Sequence, residues 1–311
     1  MDRTDLKDFS VVIPVFNSEA YLPELFQRIK NVFNNMQKTF EVIFVNDCSK
    51  DNSYKVLKEI YENNQNVVFV DFMKNYGQQN ALMCGFNYCN GQYIITLDDD
   101  LQNPPEEIPR LYEKIKEGYD AVFGAYSQKK HRAYKNLGSF FIRKLNHKIF
   151  ETADKIKFSS FRIIKKSIID EIKLMRTPFP YISGMILSIT SSVTNVEITH
   201  LQRAHGKSNY NIKKLINLSF NLLINYSSIP LRVVGSIGLI VSIVSFVFGC
   251  LYIMKKLFIG TPLPGWTTIV VLISFYNSII LIIFFILGEY ISRILKEISS
   301  FRQFTIREVF K

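Results

Sequence analysis

Tyr93-Ile94-Ile95-Thr96-Leu97-Asp98-Asp99-Asp100 is an apolar run of strand length that ends on three consecutive carboxylates. Four further runs of the same kind, Ser10 to Val15, Glu41 to Asn46, Val67 to Asp71 and Ala121 to Gly124, lie on either side of it. Between them, apolar residues fall at helical spacing near Glu19 to Phe33, Asp51 to Tyr61, Gln78 to Tyr88 and Glu106 to Lys116. Strands alternating with helices predict an α/β fold with a mostly parallel sheet. Ligands of such sheets gather beyond the carboxyl ends of the strands, where the segments at Asn17, Asp47, Asn75 and Asp98 emerge.

The carboxylate triplet carries the first chemical argument. Like charges packed so closely repel one another unless a cation joins them. A divalent ion, Mg2+ or Mn2+, takes oxygen ligands and can hold a diphosphate at the same time. In an extended chain alternate residues face the same way, so Asp98 and Asp100 address one ligand while Asp99 points elsewhere. A solvated acidic turn capping the next helix is the competing reading, and Leu101-Gln102-Asn103-Pro104-Pro105 follows it. Glycine-based phosphate cradles are missing. No Gly-x-Gly-x-x-Gly follows the first strand, and Gly206-Lys207-Ser208 lacks the earlier glycine of a P-loop, which falls at Leu201.

The rest of the chain points to a membrane. Val233 to Met254 and Thr267 to Gly288 are each 22 residues without a charge. As helices they span roughly 33 Å, against a hydrocarbon core of about 30 Å. Two buried core helices are the alternative, but core helices are rarely uncharged beyond about 14 residues. Asn211 to Ser228 has the pattern of an interfacial helix or an ordinary surface helix. The charged start, Met1 to Asp8, is no secretory signal, so the front domain is expected in the cytoplasm. Lys213, Lys214 and Arg232 before the first span, and Arg293, Lys296, Arg302 and Arg307 after the second, place both termini there too. Lys255 and Lys256 in the connecting loop count against that orientation but are outnumbered. The expected division is 1–210, 211–230, 231–290 for the two spans and 291–311 as a cytoplasmic tail, in the plasma membrane.

The formal net charge is +11, and Lys129 to Arg176 alone holds 14 Lys or Arg against four acids. Beside two membrane helices such a patch suits an anionic lipid surface and lipid phosphates rather than nucleic acid; a solvated basic face is the plainer alternative. Cys48, Cys84, Cys89 and Cys250 form no paired spacing, which implies a reducing compartment.

Several motifs follow one another in a set order. They are Val12-Ile13-Pro14-Val15-Phe16-Asn17-Ser18-Glu19, Val45-Asn46-Asp47-Cys48-Ser49-Lys50-Asp51, Asn75-Tyr76-Gly77-Gln78, Asp98 to Glu106, Ser160-Phe161-Arg162 and Arg203 to Tyr210, closed by the two apolar spans. The ordered set resembles the polyprenyl-phosphate glycosyltransferases of glycosyltransferase family 2, which include dolichyl-phosphate mannose synthase and bacterial undecaprenyl-phosphate glucosyltransferases. The likeness covers nearly the whole chain.

That resemblance implies a GT-A fold and a set of roles. Pro14, Phe16, Glu19, Asp47, Asn75 and Asp98 would line the nucleotide site, and Asp98, Asp100 and Gln102 would hold the divalent metal. Lys135, Ser139, Arg162, Arg203, Lys207, Ser208 and Tyr210 would surround the acceptor phosphate, with Asp98, Asp100 and Arg162 as the catalytic set. The implied partners are a nucleotide-sugar donor, UDP-sugar favoured, a polyprenyl phosphate acceptor such as undecaprenyl phosphate, and the lipid bilayer; a homo-oligomer is compatible with all of this. Three positions depart from the family pattern: Asn46-Asp47 where Asp-Asp is frequent, Gly124-Ala125-Tyr126 where many members carry Gly-x-Arg, and Ser160 where many carry an acid. Two rival functions share the front half, a family 2 transferase that extends a saccharide and a non-catalytic membrane nucleotide-binding protein.

Overall fold

The computed structural model describes residues 7–126, 156–175, 177, 180–199, 265–298 and 303–311, with eight scattered helical positions from 236 to 258. The chain divides into two compact units, Met1–Tyr210 with Arg302–Lys311, and Asn211–Phe301.

In the first unit the five expected strands are present as β1 (Phe9–Val15), β2 (Phe40–Asn46), β3 (Val67–Phe72), β4 (Tyr93–Thr96) and β5 (Ala121–Tyr126). Three more strands join them: β6 (Arg162–Lys165), β7 (Val193–Ile198) and β8 (Ile306–Phe310). The order across the sheet is β7-β5-β6-β4-β1-β2-β3-β8. Its centre, β4-β1-β2-β3, is parallel throughout, whereas β6 runs antiparallel to both β4 and β5 and β8 runs antiparallel to β3. All seven residues of β1 are buried, as expected for a central strand covered on both faces.

The helices of this unit are α1 (Leu22–Met36), α2 (Ser53–Glu62), α3 (Gln78–Phe86), α4 (Ile108–Lys116), α5 (Lys166–Leu174) and α6 (Ile182–Ile189). One core layer packs α1, α2 and α4 on one sheet face, around Phe9, Phe33, Phe44 and Phe69. The other packs α3, α5 and α6 on the opposite face. Helix α3 comes unusually close to the sheet, because a Cβ on Gly85 would lie 2.3 Å from Val12 Cγ1. That approach fixes where its first residue, Gln78, projects. Cys84 and Cys89 are buried free thiols, and burial pushes both above the ordinary thiol range, Cys84 to about 12.

Two expectations change. Ile186 to His200 reads as a strand or hairpin, yet Ile182–Ile189 is helical and only Val193–Ile198 is extended. A short apolar run does not by itself distinguish the two states, and here the α3 and α5 surfaces supply a helical packing site. The stretch read as a tail, 291–311, holds the end of a helix and then β8.

In the second unit, α7 (Trp266–Ile298) contains the expected span Thr267 to Gly288. Its stretch Phe275–Ser292 has mean hydropathy 1.7 and none of it is buried. It is the one helix among the described residues long and apolar enough to cross a membrane. The interfacial helix expected at 211–230 lies outside the described residues, as does the first span apart from the scattered helical positions.

Candidate active site

The parallel register brings the strand ends level: Val15 pairs with Asn46, and Asn46 with Asp71. The loops that follow β1, β2, β3 and β4 therefore emerge side by side. They enclose a cleft of about 250 Å³ lined by Pro14, Val15, Phe16 and Asp47 on one side and Gln78, Asp98, Asp99 and Asp100 on the other.

On the first side, Asp47 is 3% exposed and its carboxylate accepts the backbone N–H groups of Tyr76 at 2.6 Å and Gly77 at 2.8 Å. Gly77 stands at φ +86, a conformation that L side chains resist, and so allows the turn that aims both amides inward. Burial pushes the Asp47 carboxyl up, and the two amides pull it back. Asn75 Nδ2 donates to the Asp47 carbonyl at 3.3 Å. Phe16 is 45% exposed, an apolar face offered to the cleft. Glu19 faces away, where its carboxylate accepts the Asn52 N–H at 2.7 Å.

On the second side, the three carboxylates take different surroundings. Asp98 accepts from Gln78 Nε2 at 2.6 Å, from Asn103 Nδ2 at 3.4 Å and from the Ser160 hydroxyl. Burial pushes its pKa up, Ser160 and Arg162 oppose the rise, and Asp100 adds to it. Asp99 is turned to the loop after β1, accepting from the Phe16 N–H at 3.0 Å and the Ser18 hydroxyl. Burial raises its pKa to about 6. Asp100 Oδ1 accepts the Gln102 N–H at 3.2 Å across a turn whose Leu101 is left-handed, φ 57. Pro104 and Pro105 then lead through a short 3-10 turn into α4.

Arg162 is interior, 2% exposed, at the start of β6. Its Nε donates to Thr96 Oγ1 at 3.0 Å, its Nη1 donates to Ser183 Oγ at 2.8 Å, and its guanidinium lies 5.8 Å from the centre of the Phe123 ring. Burial pushes its pKa down to about 10. The acceptor-side residues Lys135, Ser139, Arg203, Lys207, Ser208 and Tyr210 lie outside the described residues.

The sequence missed Gln78, Ser160, Ser18 and Asn103 as site residues, although all four sit within its quoted motifs. The signal for Gln78 was its place at the first turn of a helix beyond a strand end. Ser160, at the position where an acid is the frequent expectation, donates a hydrogen bond to Asp98, where an acid would set a second negative charge against it. No group of three or more His, Cys, Asp or Glu side chains poised to hold a metal occurs among the described residues.

Residues 10–173 match the profile of Glycosyl transferase family 2. The chain belongs to glycosyltransferase family 2. It is 32% identical to an uncharacterized glycosyltransferase, YkcC, of Bacillus subtilis over 93% of this chain and 90% of the relative. It is also 32% identical to the undecaprenyl-phosphate 4-deoxy-4-formamido-L-arabinose transferase of Aeromonas hydrophila, over 99% of this chain and 96% of that one. Among solved structures, glucosyl-3-phosphoglycerate synthase of Mycobacterium tuberculosis, in complex with Mn2+, UDP and phosphoglyceric acid, shares the fold. Its TM-score is 0.53 at 18% identity, over 70% of this chain and 78% of that one. The family 2 sheet unit is thus a GT-A-like α/β domain, and the chain is a transferase.

Proposed function

We propose that this family 2 enzyme moves a sugar from a nucleotide sugar, UDP-sugar favoured, onto a polyprenyl phosphate such as undecaprenyl phosphate, with inversion, at the cytoplasmic face of the plasma membrane. The observation that carries the reading is the pairing of Phe16 and Asp47 with the carboxylates of Asp98 and Asp100 around one cleft. The near full-length relatives named as undecaprenyl-phosphate transferases support the acceptor class.

Asp98 and Asp100 supply hard oxygen ligands and fit Mg2+ or Mn2+, which commonly takes one or two carboxylates together with substrate phosphates. When bound, such an ion neutralises a departing nucleoside diphosphate. Gln78, Ser160 and Asn103 hold Asp98 in one orientation, so little reorganisation is needed when the donor arrives. Arg162 acts from the interior, its positive charge favouring the ionised form of Asp98. Asp99 ties the Phe16–Ser18 loop to the acidic segment and so couples the two walls. No general base is required. A phosphate monoester has a second pKa of about 6 and is largely dianionic at neutral pH, so the acceptor arrives ready to attack the anomeric carbon. Lys135, Ser139, Arg203, Lys207, Ser208 and Tyr210 are assigned to its phosphate.

The membrane part is read as an interfacial helix at 211–230 and a two-span hairpin at 231–290. The chain leaves the sheet unit after Tyr210 and re-enters it as β8, so both ends of the intervening segment share one side of the membrane. That return of the chain supports an even number of crossings. Within that segment a Cβ on helical Gly238 would stand 3.6 Å from Ile283 Cδ1, which supports two helices packed as a pair.

The test is to incubate membranes carrying the protein with labelled nucleotide sugars and undecaprenyl phosphate. One donor should label a lipid product that disappears when the lipid phosphate is omitted. Label in a growing saccharide, or no transfer from any donor, would overturn the assignment.

A further inference from the structure

Strand β8 brings a cation to the back of the donor wall. Arg307 Nη1 donates to Asp71 Oδ2 at 2.9 Å; Arg307 is half exposed and the Asp71 side chain only 1% exposed. Arg307 Nη2 also donates to the Met73 carbonyl at 3.4 Å, the same oxygen the Cys48 thiol approaches at 3.7 Å. Asp71 passes the contact on, because its Oδ1 accepts from Asn46 Nδ2 at 2.6 Å, its register partner on β2. Asn46 Oδ1 in turn accepts from the Ser49 N–H at 3.2 Å and its hydroxyl at 2.5 Å. Ser49 Oγ accepts the Asn17 N–H at 3.0 Å, and Asn17 Oδ1 accepts the Lys50 N–H at 2.7 Å.

This chain of contacts joins the three loops that form the first wall of the cleft. Two of its residues, Asn17 at φ 55 and Cys48 at φ 58, hold a left-handed conformation that non-glycine residues seldom adopt and that needs surrounding contacts to persist. The segment after Met73 supplies the Tyr76 and Gly77 amides that grip Asp47. A carboxylate buried as deeply as Asp71 is costly without a paired cation, and the cation here comes from the far end of the sequence. The network also accounts for Asn46 where the family pattern often has an acid. A carboxylate there would face Asp71 across paired strands, whereas the amide donates to it.

We propose that Arg307 is a positioning residue for the donor site, the element through which the strand following the membrane helix sets the geometry of the nucleoside wall. The inference rests on the reading that this wall takes a nucleoside diphosphate. It requires no contact between Arg307 and the nucleotide.

The experiment is calorimetric titration of full-length purified protein with UDP, GDP and CDP, each with Mn2+, followed by variants titrated with whichever binds most tightly. Arg307→Met should raise Kd roughly tenfold, the effect of losing one charge-assisted contact, with an unchanged number of sites. Arg307→Lys, which keeps the charge and loses the fork, should recover most of the affinity. Tyr61→Phe removes the hydrogen bond from Tyr61 to the Lys311 carbonyl, at the other end of the same strand, and should leave Kd unchanged. Should Arg307→Met not fold, Asp71→Asn with Arg307→Met leaves no buried charge unpaired, and its Kd should still rise severalfold. An unchanged Kd in Arg307→Met or, where that does not fold, in the double variant, or a loss of sites at constant Kd, would overturn the proposal while leaving the donor site intact. If none of the three nucleotides binds wild-type protein, the donor-site reading fails and this inference fails with it.

Discussion

The two units use one kind of side chain in opposite ways. In the sheet unit Phe9, Phe33, Phe44, Phe69 and Phe123 are 0% exposed, whereas on α7 Phe275 is 60% and Phe284 is 64% exposed. The sheet turns its apolar residues inward between two helical layers, as water demands. The helix turns them outward over a length sufficient to cross a bilayer, the arrangement that the membrane placement proposed above calls for. Hydrophobicity in the sequence therefore reports the solvent of each unit only when the length and charge of the run are read with it.

The sharpest way to break this contrast is to truncate the same residue on each side. Phe44→Ala should destabilise the sheet unit by about 3–5 kcal/mol through loss of packing and a residual cavity. Phe284→Ala should stay within about 0.5 kcal/mol in detergent, as for an exposed position. Thermal unfolding followed by near-UV circular dichroism measures both, and equal losses would erase the distinction.

Charge gives the converse test. Ile280→Lys places a lysine within the apolar stretch, where insertion costs roughly 2.5–3.5 kcal/mol. Less protein should then resist alkaline extraction from membranes. Met73→Lys, at a position 54% exposed on the sheet unit, should extract like wild type. If Ile280→Lys is retained fully, α7 does not cross the bilayer.

A smaller effect tests the polar interior of the sheet unit. The raised pKa of Asp99, about 6 against an ordinary 3.8, means the folded, ion-free protein binds this proton more tightly than the unfolded chain does. Asp99 therefore weakens the fold above about pH 6, and the penalty fades as pH falls from 6 towards 4. Relative to Asp99→Asn, wild type should gain about 1 kcal/mol between pH 7 and pH 5. This corresponds to a few degrees in the thermal midpoint. A parallel pH response in both proteins would place the titration elsewhere.

Strands β1 to β5 were legible because each is an apolar run of ordinary length, separated from the next by one amphipathic helix. Strand β6 was not. Arg162-Ile163-Ile164-Lys165 is four residues within a basic stretch and passes directly into α5, so only its partners on β4 and β5 make it extended. Strand β8 alternates charge with apolar residues and takes its partner from β3, more than two hundred residues earlier, a pairing no local pattern carries. At the site, Asp47 and Asp98 to Asp100 could be located because strand ends announce themselves. The burial of Arg162 could not, since its interior place depends on Thr96, Phe123 and Ser183 converging from three separate elements.

Asp98 and Asp100 are proposed to hold a divalent ion that serves the donor diphosphate. Manganese paramagnetic resonance on purified protein, titrated with and without UDP, tests it most directly. Wild type should bind one Mn2+ per chain more tightly when UDP is present, and Asp100→Ala should lose that site while remaining folded in the membrane. An equal, nucleotide-dependent Mn2+ site in Asp100→Ala would contradict it.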